Sequence, residues 1–237
     1  MISNIDIYER TINLIDDPDL NRMYLTNKIE FQKTMYKFLL NGLSYFTAPT
    51  RVCDMLEDQT APDGETEIAE GTGGFEYKIT TSVPEEAETA FYIYAKDSKG
   101  KLKKTRVSGE IEKREDGDYV VFQQPVNADE QYEVQWYTAG TFNGDFAKAG
   151  PAIGSSMNKR VIEILARTTV IAWAEREQNF LLDIRNLLND TDFKLYSPAN
   201  SLEKKKDWVE SLRFEIYSLQ NKLDWDLRNR SVSRYGY

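Results

Sequence analysis

"DMLEDQTAPDGETEIAEGTGGF", residues 54–75, lies between two kinds of hydrophobic period and carries seven acidic residues and no basic one. Before it, apolar residues recur every three or four positions. After it, they alternate. A change from a period near 3.6 to a period of 2 marks a passage from helices to strands. What this stretch joins therefore decides the architecture.

On the upstream side, Ile5, Tyr8, Ile12 and Ile15 fall on one helical face, and Asp16, Asp17 and Pro18 are expected to end that helix. "NKIEFQKTMYKFLLNGLSYF" (27–46) repeats the period through Ile29, Met35, Phe38, Leu39, Leu43 and Phe46. Asn27 is placed to cap it, with Glu30 three residues on, and Pro49 lies beyond its end. On the downstream side, "FEYKITTS" (75–82) alternates Phe75, Tyr77 and Ile79 with polar neighbours. "AFYIYAK", "DYVVFQQ" and "QYEVQWYTAGTF" read as further strands, and "DSKGK" and "REDGD" as turns whose glycines take a left-handed conformation cheaply. Short strands with regular turn signals predict a sandwich or barrel.

A second seam, "FNGDFAKAGPAIGSS" (142–156), is broken by Gly144, Gly150, Pro151 and Gly154, with Ser155 or Ser156 as a cap. The helical period then returns through Val161, Leu165, Thr168, Ala172, Phe180, Ile184 and Leu187, as one long helix or two with a bend. Pro198 is expected to break the chain and Asn200, with Glu203, to cap a last helix whose seam is Val209, Leu212, Ile216, Leu219 and Leu223. Neither helical segment can cover its own apolar stripe, so the two are expected to share one core.

The reading is thus an α+β chain: an α-helical bundle interrupted by an inserted small antiparallel β-sandwich. The expected boundaries are 1–53 and 147–228 for the helical parts, 54–74 for an acidic linker, 75–146 for the β-domain and 229–237 for an extended C-terminal tail. In the β-domain, Tyr132, Val134 and Trp136 share a strand face, and Tyr132 starts that strand after a polar corner. This resembles the tyrosine-corner strand of immunoglobulin-like and fibronectin type III domains, over residues 75–146.

Composition narrows the chemistry. Net charge is −9 and there is no histidine among the 237 residues. That removes the usual general base near neutral pH, the Ser-His triads and the common zinc sites. Cys53 is the single cysteine, so a thiol nucleophile has no His partner and no disulfide framework exists. "EGTGGF" (70–75) lacks the Lys-Ser or Lys-Thr ending of a phosphate loop and reads as a hinge. "EDQTAPDGETE" lacks calcium-loop spacing, and Glu85, Glu86 and Glu88 read as an exposed acidic loop. A non-enzymatic protein with no cofactor and no metal is expected. The start "MISNIDIYER" lacks the pattern of a signal peptide, and no apolar run is long enough to span a membrane. The acid sits in the middle of the chain, and the C-terminal third is mildly basic. A nucleic-acid surface needs more concentrated Lys and Arg.

"REQNFLLDIRNLL" (176–188), "SPANSLEKKKDWVESL" (197–212) and the basic-aromatic end "LRNRSVSRYGY", set on a small helical domain, resemble head–tail connector (adaptor) proteins of tailed bacteriophages. The resemblance covers residues 1–53 and 155–237. It implies a virion structural protein, assembled in the host cytoplasm, that forms a ring of typically twelve copies between the portal protein and the tail or neck proteins. It implies no membrane and no sequence-specific nucleic acid. The portal-docking role falls on Arg228, Arg230, Arg234, Tyr235 and Tyr237. The alternative is a surface-binding module whose β-domain recognises a carbohydrate or host protein through Tyr92, Tyr94, Trp136 and Tyr137. An enzyme working with carboxylates alone comes third.

Overall fold

The structure is a computed structural model that describes residues 1–146, 154–189 and 198–232. It is α+β, and every strand pairing in it is antiparallel. The chain separates into two compact units. One comprises residues 1–26, 31–60 and 141–237, the other residues 27–30 and 61–140.

The first unit is built on helices α1 (Asn4–Ile12), α2 (Pro18–Thr26), α3 (Lys28–Leu43), α4 (Thr50–Glu57), α5 (Gly154–Asn189) and α6 (Pro198–Val232). Ser3 caps α1 by accepting from the N–H of Ile5, and Ile7, Tyr8, Thr11 and Ile12 form its buried side. Pro18 opens a helix rather than only ending one. Asp17 Oδ1 accepts from the N–H groups of Asp19 and Leu20, and proline needs no donor at the first helical position. Asn27 caps α3 as expected, its Oδ1 accepting from the N–H of Glu30. α5 is a single 36-residue helix. It packs against α1 and α6, and Val161, Leu165, Thr168 and Ala172 are all buried. α3 crosses it closely at Gly42, where an added Cβ would stand 2.8 Å from the backbone carbonyl of Thr168.

Three two-residue strands, β1 (Ile2–Ser3), β2 (Gln59–Thr60) and β10 (Thr141–Phe142), form a small sheet in the order β1-β10-β2. Thr141 pairs with Thr60 and Phe142 with Gln59, so the chain leaves this unit and re-enters it on adjacent strands. The N–H of Asn143 donates to the carbonyl of Asp58 at 2.8 Å, and Asn143 Nδ2 donates to Thr60 Oγ1 at 2.9 Å.

The second unit holds β3 (Asp63–Glu70), β4 (Glu76–Lys78), β5 (Glu88–Lys96), β6 (Leu102–Val107), β7 (Gly109–Arg114), β8 (Gly117–Phe122) and β9 (Gln131–Thr138). They make a four-stranded sheet, β3-β9-β5-β6, and a three-stranded sheet, β4-β8-β7. Residues of both sheets enter one buried cluster, among them Tyr77, Phe91, Ile93, Val120, Phe122, Tyr132, Val134 and Trp136. The β5–β6 and β7–β8 turns carry Gly100 at φ 76° and Gly117 at φ 137°, the left-handed positions read from the sequence.

Several boundaries differ from the sequence reading. The acidic stretch 54–74 is not a linker. It contains the end of α4, β2 and all of β3, which pairs along its whole length with β9. An edge strand needs apolar residues on one face only, and alternating Glu masks so thin a signal. "EGTGGF" is pinned rather than hinged. The N–H groups of Gly71 and Gly73 donate to the carbonyls of Glu130 and Val126, and a Cβ on Gly71 would lie 2.3 Å from the Asn127 carbonyl. The tyrosine that ties a corner is Tyr77, not Tyr132. Its hydroxyl lies 2.9 Å from the carbonyl oxygens of Gly74 and Val126 and accepts from the N–H groups of Thr72 and Gly74. Tyr132 is buried with its ring against that of Tyr77, centroids 4.5 Å apart. Phe75 is half exposed, so the alternation begins at Tyr77. Pro198 is the first residue of α6, which places Asn200 inside the helix. α6 then runs through Val232, so residues 229–232 are helical and not part of an extended tail.

Candidate functional site

The buried side of α6 is formed by Val209, Leu212, Ile216, Gln220 and Leu223. A step of 100° per residue carries Phe214 and Trp225 to the opposite side of the helix and Tyr217 to its flank. Phe214, Trp225 and Tyr217 are 74%, 65% and 64% exposed. Three large aromatic side chains thus form a ridge on the outer face and flank of a helix whose inner face is already packed. Trp208 differs from them. It stands edge-on to Trp173 with centroids 6.2 Å apart, and Trp173 Nε1 donates to Asp17 Oδ2, so this pair belongs to the packing of the fold.

α6 is fixed by polar contacts along its length. Gln220 is buried; its Oε1 accepts from Thr47 N–H, Thr47 Oγ1 and Ala48 N–H, and its Nε2 donates to the Tyr45 carbonyl at 2.7 Å. Arg213 donates to Glu175 Oε1 at 2.5 Å, and the Tyr45 hydroxyl donates to the same oxygen. Burial, then the bond to Glu175, raises the Tyr45 hydroxyl above its ordinary range. Arg167 bridges Glu163 and Glu215, while Arg10 forks onto Glu163 at 2.6 and 3.2 Å. The bonds from Arg10 lead the causes that hold the Glu163 carboxyl below its usual range. Beside this network a groove of about 220 Å³ has Ile164, Leu219 and Leu223 among its lining, with Lys159, Arg160 and Lys222 around them. Leu219, expected in the buried seam, is half-buried in this groove, and Gln220 takes the buried position.

Of the five residues assigned to docking, Arg228 is described in full. It sits on α6 with its side chain 79% exposed and ion-pairs with Asp224 one turn back. Arg230 lies within the helical span of α6. Arg234, Tyr235 and Tyr237 fall outside the described residues. The ridge of Phe214, Tyr217 and Trp225 was not singled out in the sequence, although a signal was available: these aromatics run out of phase with Leu212, Ile216 and Leu223.

The four residues of the alternative reading are not on one surface. Trp136 points into the core between the sheets, and its Nε1 is buried without a hydrogen-bond partner. Tyr137 is buried with Ile29 and Ala90. Tyr92 and Tyr94 lie on the other face of the four-stranded sheet, around an ion pair between Lys104 and the buried Glu133. The Tyr94 hydroxyl and the Gln135 amide also donate to that carboxylate. Burial opposes its charge, but together the bonds from Lys104, Tyr94 and Gln135 hold Glu133 below the usual carboxylate range. Lys104 Nζ also stands 4.0 Å from the centroid of the Tyr92 ring.

Among the described residues no group of three or more His, Cys, Asp or Glu is placed to hold a metal ion. Burial pushes the Cys53 thiol up, away from the thiolate form that reacts. No described helix is long and apolar enough to cross a membrane. Comparison of the chain with protein-family models, curated proteins and solved structures finds no match.

Proposed function

We propose that this chain is a non-enzymatic virion structural protein, a head–tail connector subunit that assembles with copies of itself and docks to a portal protein. The observation that carries the reading is the outer face of α6. Phe214, Tyr217 and Trp225 form an exposed aromatic ridge, interrupted by the polar Ser218 and Asn221, and aromatic side chains are the usual anchors of protein interfaces. The ridge leads along the same helix to Arg228 and Arg230, and onward in sequence to Arg234, Tyr235 and Tyr237. Arginine suits such a face because it pairs bidentately with carboxylates and stacks on rings. The fixing of α6 by Gln220, Arg167 and Arg213 supports the reading, since a docking element held in place loses less freedom on binding.

Within this proposal the second unit is an immunoglobulin-like β-sandwich carried as an insertion. Two antiparallel sheets that share one buried cluster, and a corner tied by a tyrosine hydroxyl, support that assignment. The test is mass measurement of the purified protein alone and with a portal protein. A homo-oligomer that binds the portal, and loses it on Phe214→Ser/Trp225→Ser or on truncation after Val232, is the expected result. A monomer that binds no portal under any condition refutes the proposal.

A further inference from the structure

The two edges of the four-stranded sheet carry opposite charge. β3, at one edge, reads "DGETEIAE", with four acidic residues and no basic one. β6, at the other, reads "LKKTRV", with three basic residues and no acidic one, and Lys101 precedes it. Among the described residues each pairs on one side only, β3 with β9 and β6 with β5. A strand paired on one side turns alternate N–H and C=O groups outward, ready for another strand. Each edge also exposes one large aliphatic side chain, Ile68 at 55% and Leu102 at 53%.

We infer that β3 of one copy of the chain pairs with β6 of the next, extending the four-stranded sheet from copy to copy. Three features point to a second copy as the occupant. The first is charge. Acid on both edges, or base on both, would guard the sheet against every copy. Opposite signs repel β3 from β3 and β6 from β6, and favour only the β3–β6 junction. The second is direction. Four strands in strict antiparallel alternation leave β3 and β6 running oppositely, so a neighbour related by a rotation that keeps the strand direction, about an axis inclined to the strands, presents an antiparallel partner. The third is register. Ile68 lies opposite Glu133 and Leu102 opposite Lys96, on the same face of the sheet as Tyr94. Setting Ile68 against Leu102 brings Glu67 against Lys103 and keeps both aliphatic residues on that face, where a cross-strand apolar pair stabilises the junction. The contact is heterologous, and such contacts close into rings when the rotation between copies allows. The inference rests on the reading of the chain as a self-assembling subunit and names the surface through which it assembles.

The test is disulfide trapping in the full chain. With Cys53→Ser as background, Ile68→Cys and Leu102→Cys are introduced together. Within one chain these positions are separated by β9 and β5, about 14 Å at ordinary strand spacing, too far for an internal disulfide. Both are exposed, so folding is checked by a melting curve under reduction. The expected result is a ladder of oxidised multimers from the double variant and none from either single variant. In parallel, Glu65→Lys/Glu67→Lys/Glu70→Lys reverses the sign of one edge and Lys101→Glu/Lys103→Glu/Arg106→Glu that of the other. Each is expected to weaken self-association roughly tenfold or more, and mixing the two restores it, because each then meets a complementary edge. Homo-oligomers whose mass ignores both reversals and that give no ladder overturn the inference while leaving the subunit reading in place. A ladder from a protein that binds no portal upholds the junction and overturns the connector reading.

Discussion

Lys104 Nζ lies 2.7 Å from Glu133 Oε1 and 2.8 Å from its Oε2, pairing a half-exposed ammonium with a carboxylate whose side chain is 2% exposed. The two ends are unequal. If Glu133 is removed, Lys104 can return to water; if Lys104 is removed, a buried charge remains. Lys104→Met is therefore expected to cost up to about 3 kcal/mol, and Glu133→Gln about 1–2 kcal/mol. The pH dependence has a definite sign. The folded carboxyl is held below its usual range, so its contribution is complete above the unfolded value of about 4.3 and is lost as pH falls through the folded value. The melting-temperature gap between wild type and Glu133→Gln should be widest above about pH 5 and should close at lower pH. A gap that stays constant down to acid unfolding would show that the charge of Glu133 contributes nothing.

The pairing of Thr60 with Thr141 leads to a prediction about excision. These residues sit on adjacent antiparallel strands, so residues 61–140 can be replaced by a two-residue Asn-Gly turn without moving the strands apart. Ile29, buried with Ala90 and Tyr137, would be uncovered, and Ile29→Gln accompanies the excision. The shortened chain should retain helical circular dichroism and melt cooperatively. A broad, non-cooperative melt would mean that the helical unit draws its stability from the residues removed.

The separation of helical and alternating stretches was legible because period alone carries it. α3 and α5 could be read from Met35, Phe38 and Leu39, and from Val161, Leu165 and Ala172, each set on one face and buried. α2 could not, because only Leu20 is buried in it and its start depends on the Asp17 side chain. β3 was hidden for the opposite reason: three of its four acids, Asp63, Glu65 and Glu67, share the inward face with Ala69, its one large apolar residue, Ile68, faces outward, and Glu67 is held by Thr80 rather than by apolar contact. Tyr132 and Tyr77 had equal claims to the corner, since a hydroxyl's partner is set by chain crossings that local sequence does not contain. For the site, arginine and tyrosine after Leu227 were visible as composition. The ridge required knowing which side of α6 is buried, and that is a tertiary fact.

Gln220 tests whether α6 is held in place by one buried amide. Its four hydrogen bonds go to the segment from Tyr45 to Ala48, before the cis Ala48–Pro49 bond. Gln220→Ala leaves two N–H groups, one hydroxyl and one carbonyl without this partner and should cost at least about 2 kcal/mol. Gln220→Glu keeps the acceptor and loses the donor to Tyr45, so it should fall between wild type and Gln220→Ala at neutral pH. Equal stability for all three chains would mean that water replaces the amide without loss.

Phe214, Tyr217 and Trp225 separate folding from assembly. Because these side chains already contact water, replacing them removes little buried area, and surface substitutions of this kind usually change stability by less than about 0.5 kcal/mol. Phe214→Ser and Trp225→Ser, alone or together, should leave the melting temperature unchanged. If the ridge docks to a partner, the same substitutions remove aromatic anchors, each able to contribute about 2 kcal/mol or more to binding. Binding to the portal and incorporation into virions should then fall steeply. Leu212→Ala is the control from the opposite face of the helix. Leu212 is 8% exposed, so its truncation should lower the melting temperature by the equivalent of about 2–5 kcal/mol whether or not a partner is present. The decisive comparison sets stability against incorporation for all three sites. Outer-face variants that keep both would leave the ridge with no role in assembly. Outer-face variants that lose stability would show that the ridge is covered by the protein itself.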